Sequence, residues 1–262
     1  MGVSTFQISD IYPFLLILSR VMAALITLPG FGSLNNTNQV RLLIAVSLSL
    51  VMTPILQSSL PAAPDQPYLF FAYIVFELFV GVFIGTIGKM LLSALNVAGT
   101  MISYESGLTN AFILNPVERE QSSLPSVLLS MTIVVLFFVS DIHHIAIRAI
   151  YESYKVFNPA NLTSYPFMGE HMMIAIVSML TEGFILAAHM SAPIIIIAIL
   201  YFIGMGLLNR LMPQLHVFFV GQPFQIYMGF LILALILVGA STTVLERLAR
   251  LYESLWSLSP GA

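Results

Sequence analysis

From His171 to Leu208 the chain is almost wholly apolar, with Glu182 and His189 its only charge-bearing interruptions after the first residue. About 20 apolar residues cross the hydrocarbon core of a bilayer, so a run of this length belongs in a membrane. Comparable runs occupy Ile11–Leu28, Leu42–Leu60, Tyr68–Val97, Pro125–Val139 and Phe224–Val244. They are continuous and do not alternate with polar residues, which predicts helices and not the strands of a closed barrel. The expected architecture is an all-α membrane protein of about six long, partly kinked apolar helices arranged in hairpins. Hydrophobic residues make up 58% of the chain and charged residues 8%, against roughly 25% charged in a soluble domain. A net charge of −3 argues against a nucleic-acid partner, and the absence of cysteine removes disulfide and thiolate chemistry. The first ten residues hold no Lys or Arg, and Arg20 interrupts the run that follows, so no cleavable signal peptide is expected.

Several polar residues sit where they are costly. Arg20 lies inside the first span, where an ionisable group faces the protein interior or water, or snorkels to an interface. That span ends at Pro29-Gly30-Phe31-Gly32, and Ser33–Gln39 is a polar turn. Arg41 opens the second span, which Pro54 is expected to kink. A stiff connector from Pro61 to Pro67 leads to the third span, which is too long to cross without tilt or a break. There Glu77, Gly81, Gly85 and Lys89 recur every four residues along one drifting stripe. Gly81 and Gly85 form a small-xxx-small face suited to close helix packing. With an acid one turn before and a lysine one turn after, the stripe reads as a packed helix interface, while Glu77 as a proton-relay carboxylate is the alternative.

Gly99 to Pro125 is the longest polar interruption, with loop chemistry at Asn110, Asn115-Pro116, Ser122 and Ser123 and one charge run at Glu118–Glu120. An apolar patch, Ala111 to Leu114, sits in its middle. Such a loop is either a plain connection or a gate. Beyond the fourth span, Asp141, His144, Arg148, Glu152 and Lys155 share one side of a continuing helix. Asp141, His143 and His144 lack the convergent ligand spacing and second cluster of a strong metal site, so no metal or cofactor is expected. Asn158-Pro159 ends that segment, and Asn161–Gly169 is a loop. Ser191-Ala192-Pro193 breaks the longest run into a bent helix, or a helix followed by a re-entrant piece. Glu182 and His189 lie close enough in register to pair or to face other subunits. Asn209 to Pro223 reads as a tight reversal, and Leu245 to Trp256 as an amphipathic helix lying on the membrane surface or on a partner. Lys and Arg divide four against three between the two sides of a six-span topology, which does not orient the chain.

The run Arg210-Leu-Met-Pro213-Gln214-Leu-His-Val-Phe218-Phe-Val-Gly221-Gln-Pro223 resembles the signature of the FliR family of flagellar export-gate proteins, itself similar to the corresponding subunit of type III injectisomes. Other residues agree in order: Arg20; Pro29-Gly30 with Arg41; Glu77 with Gly81 and Gly85; Gly99 and Gly107 before an X-Pro; His143 or His144, then Ser153-Tyr154 and Pro159; and Ala192-Pro193. The family often has Asp-Pro where this chain has Asn115-Pro116, and an uncharged polar residue where it has Glu105. The resemblance implies a non-enzymatic subunit of the bacterial inner membrane at the flagellar basal body, in a complex that extends toward the periplasm. One copy would assemble with FliP and FliQ, alongside FlhB and FlhA, into the portal for unfolded export substrates. It also implies a FliP-like part over 1–166, a FliQ-like hairpin over 167–245 and the amphipathic tail over 246–262. The loop at about 105–123 would plug the portal, with Glu105, Gly107, Phe112, Ile113, Leu114, Asn115 and Pro116 at the plug and Met101 beside it. Glu77, Gly81, Gly85, Lys89, Asp141, His144, Arg148, Glu152, Arg210, Pro213, Gln214, Phe218, Gly221 and Pro223 would pack against other subunits and lipid.

Two other classes compete. A proton-coupled secondary transporter would use Glu77, Glu182 and His189 as relays and Pro193 as an unwound site, but no internal repeat with matching interrupted helices is visible. An intramembrane enzyme would need a paired nucleophile and base or an HExxH helix, which Glu170-His171 and His143-His144 do not supply.

Overall fold

The computed structural model describes residues 8–31, 38–108, 123–160, 168–212 and 217–254, and among these it is helical with no strand. The helices are α1 (Ile8–Thr27), α2 (Asn38–Leu56, tightening into a 3₁₀ turn at Gln57–Ser59), α3 (Pro67–Glu105), α4 (Leu124–Val139), α5 (Ile142–Val156), α6 (Met168–Leu211) and α7 (Val217–Ser254). Among the described residues four helices are long and apolar enough to cross a membrane: α2, α3, α6 and α7. The broken pair α4–α5 makes a fifth if counted as one span, and α1 is shorter.

The chain forms two compact units. The first comprises Met1–Met90, Phe137–Met179 and Arg247–Ala262, and the second Leu91–Leu136 and Leu180–Glu246. In the first, Leu16, Ile17, Ala24 and Leu25 of α1 are buried, and α1 packs along α2. Small residues set how closely α1 approaches α3. A Cβ on Gly81 would meet the Arg20 carbonyl and lie 2.8 Å from the Ala23 Cβ, and one on Gly85 would lie 2.6 Å from the Ala24 carbonyl oxygen. In the second unit, Leu95, Ala98 and Ile102 of α3 are buried, as are Leu129 and Ile133 of α4 and Ile232 and Leu233 of α7.

Three boundaries differ from the expected ones, and at Pro193 the structure takes one of two expected alternatives. Helix α3 runs on to Glu105 and carries Gly99 within it. That glycine serves packing, because a Cβ there would lie 2.5 Å from the Ser126 backbone nitrogen. The charged segment does not continue the fourth span. The chain breaks at Ser140-Asp141, where Asp141 takes φ 58° and starts α5 as a separate helix. Helix α6 passes through Pro193 as one long helix, the first of the two expected alternatives, and the nearby Ser191 hydroxyl donates to the Ala187 carbonyl 2.9 Å away, keeping its own polar group satisfied inside the helix. Finally, Gly221 and Pro223 lie inside α7 and not in a turn, and the amphipathic tail continues α7 as far as Ser254. Gly221 again serves packing, since a Cβ there would run into Tyr201 and Met205 of α6.

Candidate functional site

In the first unit, an arginine on an apolar helix needs a partner, because an isolated buried charge is prohibitively costly. Arg20 finds several. Its Nε donates to Glu77 Oε2 on α3 at 2.5 Å, Nη1 donates to Ser153 Oγ on α5 at 2.9 Å, and Nη2 donates to the Phe157 carbonyl at 2.9 Å. The Tyr154 ring lies against the guanidinium, 3.7 Å from Cζ to its centroid, and the Tyr154 hydroxyl donates to Glu77 Oε2 at 3.3 Å. Both charged side chains are fully buried. The rigid, multi-donor guanidinium fork is what allows one side chain to hold three elements. Phe157 caps the C-terminus of α5, so Arg20 also satisfies a carbonyl at a helix end. Chemically this is a fastening of α1, α3 and α5.

In the second unit, the chain entering and leaving the 109–122 segment is held on both sides. Helix α3 ends at Glu105, and its carbonyl accepts a hydrogen bond from Gln225 Nε2 of α7 at 2.7 Å. Ser106 seats against Gly229 of α7, where a side chain would clash. Gly107 turns the chain with φ +72°, a conformation glycine adopts without strain. On the return, the Ser123 hydroxyl accepts from the Ser126 backbone N–H at 3.3 Å as an N-cap of α4, and donates to the Gly99 carbonyl of α3 at 3.2 Å. Further along, Ser130 Oγ donates to Asn96 Oδ1 at 2.8 Å. A pocket of about 40 Å³ lies beside Glu105, lined by Ile194, Tyr201, Phe224, Gln225 and Met228 among others.

The remaining candidates are scattered. Phe112, Ile113, Leu114, Asn115, Pro116, Pro213 and Gln214 lie outside the described residues, as does the side chain of Phe218 on α7. Met101 is 41% exposed on α3 and accepts a contact from Ser191 Oγ at 3.4 Å. Glu77, Gly81 and Gly85, expected against other subunits, are occupied by α1 of the same chain. Lys89 and Arg210 are exposed on α3 and in the last turn of α6. On α5, Glu152 sits between Lys155 at 2.5 Å and Arg148 at 3.9 Å, and Asp141 faces His144 at 3.5 Å. Glu182 and His189 are both exposed on α6. Gln225, Ser106 and Gly229 were not singled out from sequence. The one available signal was a polar residue inside the last apolar run.

A family model described as bacterial export proteins, family 1, matches residues 11–251. The chain belongs to this family. As a bacterial export protein it is not an enzyme. Among curated relatives of this export family, the flagellar biosynthetic protein FliR of Caulobacter vibrioides is 28% identical over 93% of this chain and 96% of its own length. FliR of Bacillus subtilis is 30% identical over 87% of each chain. The Yop proteins translocation protein T of Yersinia pestis is 27% identical over 84% of each.

Proposed function

We propose that this chain is the FliR-like subunit of a flagellar type III protein export gate. In this reading one copy assembles in the bacterial inner membrane with FliP and FliQ, alongside FlhA and FlhB, and the complex forms the portal through which unfolded flagellar subunits leave. The observation that carries the reading is the family match across residues 11–251, joined by flagellar relatives aligned over nearly their whole length. The segment between α3 and α4 closes the resting portal. Its apolar tip, Phe112, Ile113 and Leu114, suits a seal that works by excluding water. The exposed Met101 supplies a flexible side chain beside the path. The contacts at Glu105 and Ser123 hold the chain on either side of the proposed plug. The paired state of Glu77 speaks against the proton-relay alternative, since Arg20 and Tyr154 both hold one of its carboxylate oxygens.

The test is co-expression of the tagged chain with FliP and FliQ, purification from solubilised membranes and native mass spectrometry. A discrete hetero-oligomer holding one copy of the chain supports the reading, and a lone monomer or homo-oligomer overturns it. The plug is tested separately by deleting residues 109–121: unchanged ion leakage across the membrane would remove the plug from the proposal. The Yersinia relative favours a second reading, the corresponding injectisome subunit. Restored motility in a strain lacking its own flagellar subunit decides for the flagellar one.

A further inference from the structure

We propose that Asp141, His143 and His144 form a binding site for one divalent transition-metal ion of the zinc type, at the break between α4 and α5. On a regular helix Asp141 and His144 would share a side while His143 points elsewhere, so spacing alone does not predict that all three converge. The break changes this. Asp141 adopts φ 58° as the N-cap of α5, yet its carboxylate makes no capping bond to the helix backbone. Capping the first turn is the ordinary use of an aspartate in that position. Here the carboxylate faces the imidazole of His144, with Oδ1 3.5 Å from Nδ1. The two imidazoles lie together, ring centroids 4.1 Å apart. One ligand atom from each of the three residues falls within 4.8 Å of the others.

These distances suit a metal better than they suit hydrogen bonding. The Asp141–His144 separation of 3.5 Å is long for an N–H···O bond. Two ligands of a tetrahedral zinc ion, each about 2.0–2.1 Å from the metal, lie roughly 3.3 Å apart. The widest separation closes by side-chain rotation, and Asp141 and His144 are free to rotate at 77% and 70% exposure. His143 is the more enclosed ligand. It packs against Phe138, and its Nδ1 is buried with no hydrogen-bond partner among the described residues. No hydrogen bond therefore commits that ring to another role. Two imidazoles and a carboxylate are a borderline-soft N₂O set, which suits zinc and its neighbours over magnesium or calcium. Three protein ligands leave at least one coordination position for water or for a side chain of a neighbouring subunit.

Zinc chloride is titrated calorimetrically into the full chain, purified without a histidine tag in detergent micelles. Cobalt(II) absorption serves as an independent report of coordination geometry. The expected result is one ion bound per chain, with affinity reduced roughly 10–100-fold or more in His144→Ala. The companion variant is Asp141→Gly, which removes the carboxylate while giving the left-handed position the residue best suited to it. It should fold at least as well as the parent and bind weakly. Absence of zinc binding by the parent chain overturns the proposal. So does binding that survives both substitutions unchanged, which would place the ion on other histidines.

Discussion

Arg20 and Glu77, 57 residues apart in sequence, share a hydrogen bond with neither side chain exposed. Removing one partner strands a buried charge, which costs about 3–5 kcal/mol, whereas replacing both by apolar residues costs far less. Arg20→Leu should therefore greatly lower the unfolding midpoint of the purified chain, and Arg20→Leu with Glu77→Leu should recover much of the loss. A double-mutant cycle on detergent-solubilised protein measures it. Additive losses would show that the pair is not a unit.

Gly81 sets the spacing of α1 and α3, because a side chain there meets the Arg20 backbone carbonyl and not a movable side-chain tip. Gly81→Leu should destabilise the chain by roughly 1–3 kcal/mol or more. The effect should be present in the chain expressed alone, and fluorescence-detected size exclusion without partner subunits reads it. A variant that behaves normally alone and fails only in assembly would move the glycine's role to a subunit interface.

Gln225 ties the end of α3 to α7 through the Glu105 carbonyl. Gln225→Leu should weaken that attachment by about 1 kcal/mol. Gln225→Glu should cost more, since it sets an acceptor oxygen against the carbonyl. Hydrogen exchange at residues 103–107 should rise in both variants. Unchanged protection would show that Ser106 and Gly229 alone hold the end of α3.

Two glycines near the loop should respond differently. At Gly107 a Cβ finds space, with Gln225 atoms no closer than 3.6 Å, so Gly107→Ala pays only for its positive φ, about 1 kcal/mol. At Gly99 a Cβ would strike the Ser126 backbone, so Gly99→Ala should be the more damaging change. Thermal unfolding of the two variants ranks them, and the reverse order would contradict the packing described for α3 and α4.

Much of the fold was legible because long apolar runs admit little besides membrane helices. What escaped notice depends on contacts between elements. Gly99 looked like loop chemistry because a glycine that ends a helix and one that admits a neighbouring backbone are the same letter. The break at Asp141 has no proline or glycine to announce it. Arg20 and Glu77 were each marked as costly, yet periodicity treats one helix at a time and cannot match an acid on one to a base on another. Gln225 was passed over because a single amide inside an apolar run acquires meaning only from the carbonyl opposite it.

The Arg20–Glu77 pair also bears on how the chain is made. Arg20 leaves the ribosome well before the carboxylate that neutralises it. At about 5–20 residues per second, the 57-residue interval lasts roughly 3–11 s. Ser153, a further anchor, follows Arg20 by 133 residues. During this wait the guanidinium lacks its carboxylate partner, and placing it unpaired at the centre of a bilayer would cost roughly 2.5–3.5 kcal/mol or more. Neutralisation of the first helix thus depends on a residue made later in the chain.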